Sequence, residues 1–465
     1  MNILSANRWT GGISLSLAAG LLAIPISGFA ENSPTPPQEP PASIARPVKG
    51  KVWSFKECLD WARLNSTQVR NNLVAILEAD QDLASAKDAW LPSVGFSTNQ
   101  SVTNYPSSTE GRSSTSYGSN YGINANWTLW DGNIRKYRIE NSRLLRLSAE
   151  SNGENIIKEL ELGILSAYIN ILYAQEALQI AEQTLEVSTS QAERAKKLME
   201  SGRSSKVDYA QIESQRAQDA YGVAQAQANV ENAILTLKKI LQFNIDEDLQ
   251  VAPCAFDEKY IPSQLPTAQQ VFDQAAAWVP ELKSNTLATE IARNEIKIAK
   301  ASLLPSISVS GGVNTGYASG KGSSGWGYQM GHNFNENLGL TLSVPIFDAN
   351  SSKRAQAKAR LAVLDSEINR DALLSDLSQT IESLFIESDN ARARYKAAIP
   401  RLEAAEMTNT LVNRQFELGA VNPLELLTAH NNLLSARLEA IQNRYMALLA
   451  DKTINYYATR ELSLP

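Results

Sequence analysis

At 465 residues, with hydrophobic side chains at 43% and charged ones at 20%, the chain is too apolar for a disordered polypeptide and too polar for a bundle of membrane-spanning helices. Its 43 basic and 49 acidic residues leave a net charge of −6 and no basic block, which argues against nucleic acid as a partner. Beyond the N-terminus no run reaches the roughly 18 apolar residues of a spanning helix, so a membrane-embedded part has to be built from strands.

The first segment, residues 1–30, reads as a secretory signal peptide. Arg8 supplies positive charge, Ile13 to Ile26 is mostly apolar, and Gly28-Phe29-Ala30 offers the small residues of a cleavage site, so the mature chain is expected to start at Glu31. A membrane anchor is the alternative, but the apolar run is short and broken by Pro25. Residues 31–53 are proline-rich and read as a flexible leader.

From there the chain repeats itself. Ala89-Trp90-Leu91-Pro92-Ser93-Val94 is echoed by Ser302-Leu303-Leu304-Pro305-Ser306-Ile307, and Leu129-Trp130-Asp131-Gly132-Asn133 by Ile346-Phe347-Asp348-Ala349-Asn350. Ser201-Gly202 with Val207-Asp208 is echoed by Leu418-Gly419 with Leu424-Glu425. Two copies are expected, residues 54–243 and 268–458, joined by a linker at 244–267 and followed by a tail at 459–465. Each copy should hold helix, two strands, long helix, hairpin tip and return helix.

The first copy opens with a helical pattern from Ser54 to Trp90, ended by Pro92. Strands are expected at about 93–105 and 117–130, and in the second copy at about 306–318 and 334–347. Gly/Ser-rich loops, Pro106 to Ser116 and Ala318 to Asn333, separate the members of each pair. In all four strands the residues alternate between an apolar and a small, uncharged polar side, with Tyr or Trp near the ends. Lipid outside and water inside would produce this pattern. Four strands cannot close a barrel, and an open edge in lipid leaves backbone groups unsatisfied. Three copies would supply twelve strands.

Between strands and tips the helices are long. Asn133 to Ser201 contains no proline and spans roughly 100 Å as a helix at 1.5 Å per residue. Ile164, Ala167, Ile171, Ala174, Leu178, Ala181 and Leu185 mark a heptad seam on it. The second copy matches it from Ser351 to Gly419, with Leu361, Leu364 and Ile368 on one seam and Pro400 as a possible bend. The return helices are expected at Ser205 to Leu241 and Asn422 to Tyr457; Leu426, Ala429, Leu433, Ala436 and Ala440 form a seam on the second. The tips lie at about 202–205 and 419–422. Each has glycine ending one helix and a cap residue three places before an acid, Asp208 or Glu425.

The Leu-Pro-Ser starts of the strand pairs, the Trp130-Asp131-Gly132 and Phe347-Asp348-Ala349 exits and the Gly202 and Gly419 hairpins together resemble the TolC-like outer-membrane efflux proteins, from about Ser54 to Tyr457. The resemblance implies a mixed α and β fold: a trimeric 12-stranded antiparallel transmembrane β-barrel, four strands per chain, continuous with a long coiled-coil α-barrel in the periplasm. It implies a homotrimer in outer-membrane lipid that docks on a periplasmic adaptor (membrane fusion) protein and an inner-membrane pump or transporter. The expected function is a passive conduit of a tripartite efflux or secretion system.

By the same resemblance, Gly202, Arg203, Gly419, Ala420 and Val421 form the adaptor-docking tips, and Asp208 and Glu425 match acids that take part in closing the aperture. Thr428 stands where a second acid is expected, which weakens any cation-binding ring. Helix capping is the competing account of both acids. A trimeric coiled-coil surface stalk is the alternative function. Catalysis has no nucleophile, phosphate-loop or metal motif to rest on, and no cofactor is implied. The two histidines, His332 in a Gly-rich loop and His430 among leucines, read as structural, and Cys58 and Cys254 can pair or stay as thiols.

Overall fold

The computed structural model describes residues 50–105, 115–252, 266–319 and 324–464. The signal segment, most of the leader, most of the first loop, part of the linker and Cys254 lie outside the described residues.

The described chain starts with β1 (Val52–Trp53), α1 (Phe55–Asn65) and α2 (Thr67–Asp88). Val52 and Trp53 correct the leader's boundary: they pair in parallel with β4 (Gln250–Val251) of the linker. Burial of Trp53, packed edge-on against Trp61 and Phe243, holds this end of the leader down. The single helical pattern from Ser54 to Trp90 is two helices, because Ser66 turns extended at φ −59°, ψ 129°. Ser54 and Glu57 form a reciprocal capping box at the start of α1. Lys51 and Ser54 hold the Glu57 carboxyl down at about 2.

Next come β2 (Ser93–Asn104), β3 (Thr115–Trp130), α3 (Ile134–Glu200) and α4 (Lys206–Leu241). After β4 the chain continues through α5 (Ala268–Trp278), α6 (Pro280–Ala301), β5 (Ser306–Ala318), α7 (Trp326–His332), β6 (Asn335–Ser343), α8 (Ser351–Glu417) and α9 (Pro423–Thr459). Both α3 and α8 have 67 residues, and α8 runs through Pro400 unbroken. The four longer strands form one antiparallel sheet in the order β2-β3-β5-β6, leaving β2 and β6 as unpaired edges.

Two elements depart from expectation. β6 stops at Ser343 rather than 347, and α7 occupies part of the second loop. β6 ends where its partner begins, Ser343 lying opposite Ser306, the first residue of β5; at the other end, past Asn335 no strand accompanies β5, and α7 satisfies its backbone instead. Gln329 bonds both the N–H and the carbonyl of Ala318 at 3.1 Å, and Asn333 donates to Gly316 O at 2.8 Å. His332 therefore sits in a short helix, stacked on Tyr328.

The core lies midway along the long helices. Phe55, Cys58 and Leu59 of α1 pack with Ile164, Leu165 and Ile171 of α3, Leu237 and Leu241 of α4 and Leu249 of the linker. Val271 and Ala275 of α5 pack likewise with Leu377, Ile381, Ile454 and Tyr457. Buried polar ties reinforce both: Arg63 and Tyr456 converge on Glu161, and Arg392 meets Asp451 at 2.7 Å. The thiol of Cys58 is free, and burial pushes it up to about 12.

The α9 seam from Leu426 to Ala440 is buried as expected, as are Ile164 to Ala174 of α3. Beyond Ala174 the expected α3 seam is wrong. The buried line moves to Ile180, Thr184, Ser188, Gln191 and Ala195. Near the tips α3 is covered by α8 and α9 as well as α4, and Gln191 donates to Asn413 of α8 at 2.7 Å. Leu361, Leu364 and Ile368 of α8 are exposed rather than packed.

Candidate functional site: the sheet and the helical tips

Pairing register assigns every strand residue to a face. On one, Phe96 pairs with Ile123 and Ile123 with Val313; Trp127 pairs with Val309 and Val309 with Leu340. Nothing among the described residues covers this face: Phe96 is 69% and Leu338 85% exposed. Each such side chain forgoes about 1.5–3 kcal/mol that burial would contribute. The apolar band ends in aromatic rows. Toward the loops stand Tyr117, Tyr121 and Tyr317, the first two hydrogen-bonded to Gln100. Toward the helices stands Trp127, donating to Trp90 O at 2.8 Å. From Trp127 to Tyr117 the strand covers roughly 33 Å, or about 25 Å of height at a 40° tilt, the height of a lipid-facing barrel band. Glu336, opposite Val313, is the one acid on this face among the described residues.

The other face holds Ser, Thr, Gly and Asn, with no charge. Three successive β3–β5 pairs each set an asparagine against a glycine: Asn120 against Gly316, Asn314 against Gly122 and Asn124 against Gly312. A Cβ on Gly312 would lie 2.7 Å from the Asn124 amide oxygen, so the carboxamides lie flat across the glycines. The surface is polar and thin, as a water-filled bore requires.

Each hairpin tip is built by the same backbone device. Gly202 (φ +70°) and Gly419 (φ +74°) take the left-handed conformation. Arg203 N then donates to Leu198 O at 2.9 Å, and Ala420 N to Gln415 O at 2.9 Å. This is the Schellman closure that favours glycine. The two hairpins that carry the five tip residues are joined by a small core of Ala192, Ala195, Ile212 and Leu426.

The two acids differ. Ser205 Oγ accepts from Asp208 N at 3.0 Å, and the Asp208 carboxylate accepts from Ser205 N at 3.1 Å. Those bonds hold the carboxyl below the usual aspartate range. Glu425 uses only its backbone N–H, donated to Asn422 Oδ1 at 2.9 Å. Its exposed carboxylate has no hydrogen-bond or ion-pair partner among the described residues. Thr428 donates to Leu424 O at 2.7 Å. Between the return helices runs a groove of about 690 Å³ lined by Lys206, Val207, Gln215, Leu424 and Leu427 among others. Sequence reasoning missed it, because it joins residues over 200 positions apart.

It also passed over a buried Asp219–His430 pair, 3.0 Å apart, between α4 and α9. No three His, Cys, Asp or Glu side chains come together as a metal site among the described residues, and no described helix is long and apolar enough to cross a membrane.

The fold is that of known channels. CusC, solved in a study of transmembrane channel formation, superposes with a TM-score of 0.73 at 19% identity, covering 90% of this chain and 95% of CusC. Outer membrane efflux protein BepC of Brucella suis is 22% identical over 388 residues, 83% of this chain and 81% of BepC. Alkaline protease secretion protein AprF of Pseudomonas aeruginosa is 24% identical over 311 residues, 65% of this chain and 61% of AprF. The family model described as Outer membrane efflux protein matches residues 58–241 and 271–456. The exposed apolar band, the uncharged face and the duplicated tips thus belong to a TolC-like protein of the outer membrane, and the chain is a member of the outer membrane efflux protein family.

Proposed function

We propose that three copies close a twelve-stranded barrel, continue into a periplasmic helical tunnel, and give an adaptor and an inner-membrane pump a passive way out of the cell. One observation carries this reading: three contacts between the chain's own halves have bare counterparts. β3 pairs with β5, while β2 and β6 are open edges. α3 packs on α6, while the matching surfaces of α8 (Leu361, Leu364 and Ile368) and α2 are uncovered. Gly132 packs on Leu304, while Ala349 and Leu91, their counterparts, are exposed. A neighbouring copy would meet all three at once, joining β6 to β2, α8 to α2 and Ala349 to Leu91. Closure also satisfies the edge backbone groups that lipid cannot. A surface stalk would leave the apolar sheet face without a medium.

At the tunnel's end, Gly202, Arg203, Gly419, Ala420 and Val421, with the groove beside them, form the adaptor-docking surface. Glu425 faces the aperture, its carboxylate unpartnered, while Asp208 serves as a cap. BepC is named for efflux and AprF for protease secretion. The bore wall is common to both uses, and cargo is chosen by the pump and adaptor.

The test is disulfide trapping. Leu91→Cys with Ala349→Cys should give covalent trimers on a non-reducing gel from intact membranes, and neither single substitution should. Only monomer from the double variant, in folded membrane-inserted protein, overturns the ring; absence of single-channel conductance in planar bilayers overturns the conduit.

A further inference from the structure

We infer that the buried Asp219–His430 pair makes the spacing of the two return helices, and with it the shape of the groove between them, depend on pH. The inference rests on the groove's reading as a docking surface only for its biological use. His430 of α9 and Asp219 of α4 are 4% and 6% exposed, and Nε2 lies 3.0 Å from Oδ2. The other carboxylate oxygen, Oδ1, accepts from Gln215 at 2.9 Å. Gln215 also exchanges hydrogen bonds with Asn431 of α9 at 3.2 Å and lines the groove. One side chain thus joins the buried pair to the groove wall.

The surroundings leave the two groups to balance each other. α3 contributes the neutral Ser188, which hydrogen-bonds Asp219. Charged residues of this region pair at the surface: Glu213 with Arg216 on α4, Arg194 with Glu417 between α3 and α8, and Glu406 with Arg437 between α8 and α9. With imidazolium against carboxylate the site is neutral overall. Loss of the imidazolium proton strands a carboxylate in a dry site, and protonation of the carboxylate strands an imidazolium. Either uncompensated charge draws in water or parts the helices. Burial works to raise the Asp219 carboxyl, but hydrogen bonds from His430, Ser188 and Gln215 outweigh it and hold it below the usual value of 3.8. A depressed carboxyl stabilises the fold above its unfolded value and loses that contribution as pH falls through its folded one. The acidic limb therefore lies below pH 3.8.

The experiment uses the full chain, purified in detergent. Pyrenes attached to Lys206→Cys and Leu424→Cys across the groove, in a Cys254→Ser background, report spacing as the excimer ratio between pH 4 and pH 9. The wild-type pair should show a shift on the alkaline side. His430→Gln, which keeps a hydrogen-bond donor without a titrating charge, should lose that shift while retaining its far-UV circular dichroism. Thermal unfolding of unlabelled protein should show the same loss of alkaline pH dependence. A wild-type ratio flat with pH, or a His430→Gln profile that overlays the wild type, overturns the inference. The labels report without any partner, so failure of an adaptor to bind at every pH would count against the docking surface and leave this result standing.

Discussion

The two strand-to-helix exits, Trp130–Asn133 and Phe347–Asn350, solve one backbone problem in different surroundings. Both turn through two left-handed residues, Gly132 (φ +71°) with Asn133 (+74°), and Ala349 (+52°) with Asn350 (+62°). In both an aspartate closes the following helix: Asp131 accepts from Arg135 N at 3.0 Å, and Asp348 from Ser352 N at 2.8 Å. Only the first exit is covered. Gly132 is buried under the α6–β5 junction, whereas Phe347 is 83% exposed and Ala349 stands open. The clasp beneath each exit differs too. Arg135 bonds Asp131 and Ala89 O and stacks on Trp90, while Ser352 meets Ser302 through hydroxyls at 3.0 Å. Identical turns with unequal cover teach that one local backbone device can be buried by the chain at one exit and left bare at the other.

Exchanging the key residues breaks the comparison most sharply. A Cβ on Gly132 would lie 2.8 Å from Ala301 O, in a conformation that itself costs an L residue about 1–2 kcal/mol. With the overpacking added, Gly132→Ala should lose about 3 kcal/mol in thermal unfolding of detergent-solubilised protein. Ala349→Gly relieves that same conformation in an open site and should stabilise the isolated chain by up to about 1 kcal/mol. Equal losses at both positions would mean the exits are equally covered.

Next in size are the clasps. Arg135→Ala removes one partner of a buried ion pair and should destabilise by about 3 kcal/mol. Ser352→Ala removes one hydroxyl contact and should cost about 1 kcal/mol by the same measurement. A reversed order would show that the guanidinium contributes only packing.

The tips offer a smaller contrast. Asp208→Ala breaks a reciprocal cap and should cost about 1 kcal/mol. Glu425→Ala keeps the Asn422 cap and should leave the melting temperature nearly unchanged, while altering conductance or cation block in planar bilayers. Unchanged conductance would remove Glu425 from the aperture. Asp208, held below the usual aspartate value of 3.8, stabilises the fold above that pH and loses its contribution as pH falls through the lower folded value. Asp208→Asn should therefore flatten the acid side of the melting profile, and an unchanged profile would count against the carboxylate's part in the cap.

Much of this was legible in the residues. Period-two alternation located all four strands, since a strand between lipid and water sorts its side chains by face. The glycine and cap pairs located both tips, because αL closure and capping are local chemistry. Leu178, Ala181 and Leu185 misled, because heptad counting assumes one neighbour and α3 gains more near the tips. Leu361, Leu364 and Ile368 misled differently: their spacing is that of a seam, but nothing among the described residues covers it. β6 was read too long, since Val344 and Ile346 continue the alternation where no partner strand continues the ladder.

Periodicity, turn chemistry and duplication are properties of neighbouring residues, and the residues alone therefore determined the kinds of element, their order and the two-sided character of the sheet. Pairing between distant segments is set by which surfaces meet once the helices pack, and that was decided only in three dimensions. The β3–β5 register, the seating of Trp53 against the linker, the groove between α4 and α9 and the meeting of Asp219 with His430 all belong to this second class. Each joins residues roughly 200 positions apart, across which local propensity carries no information.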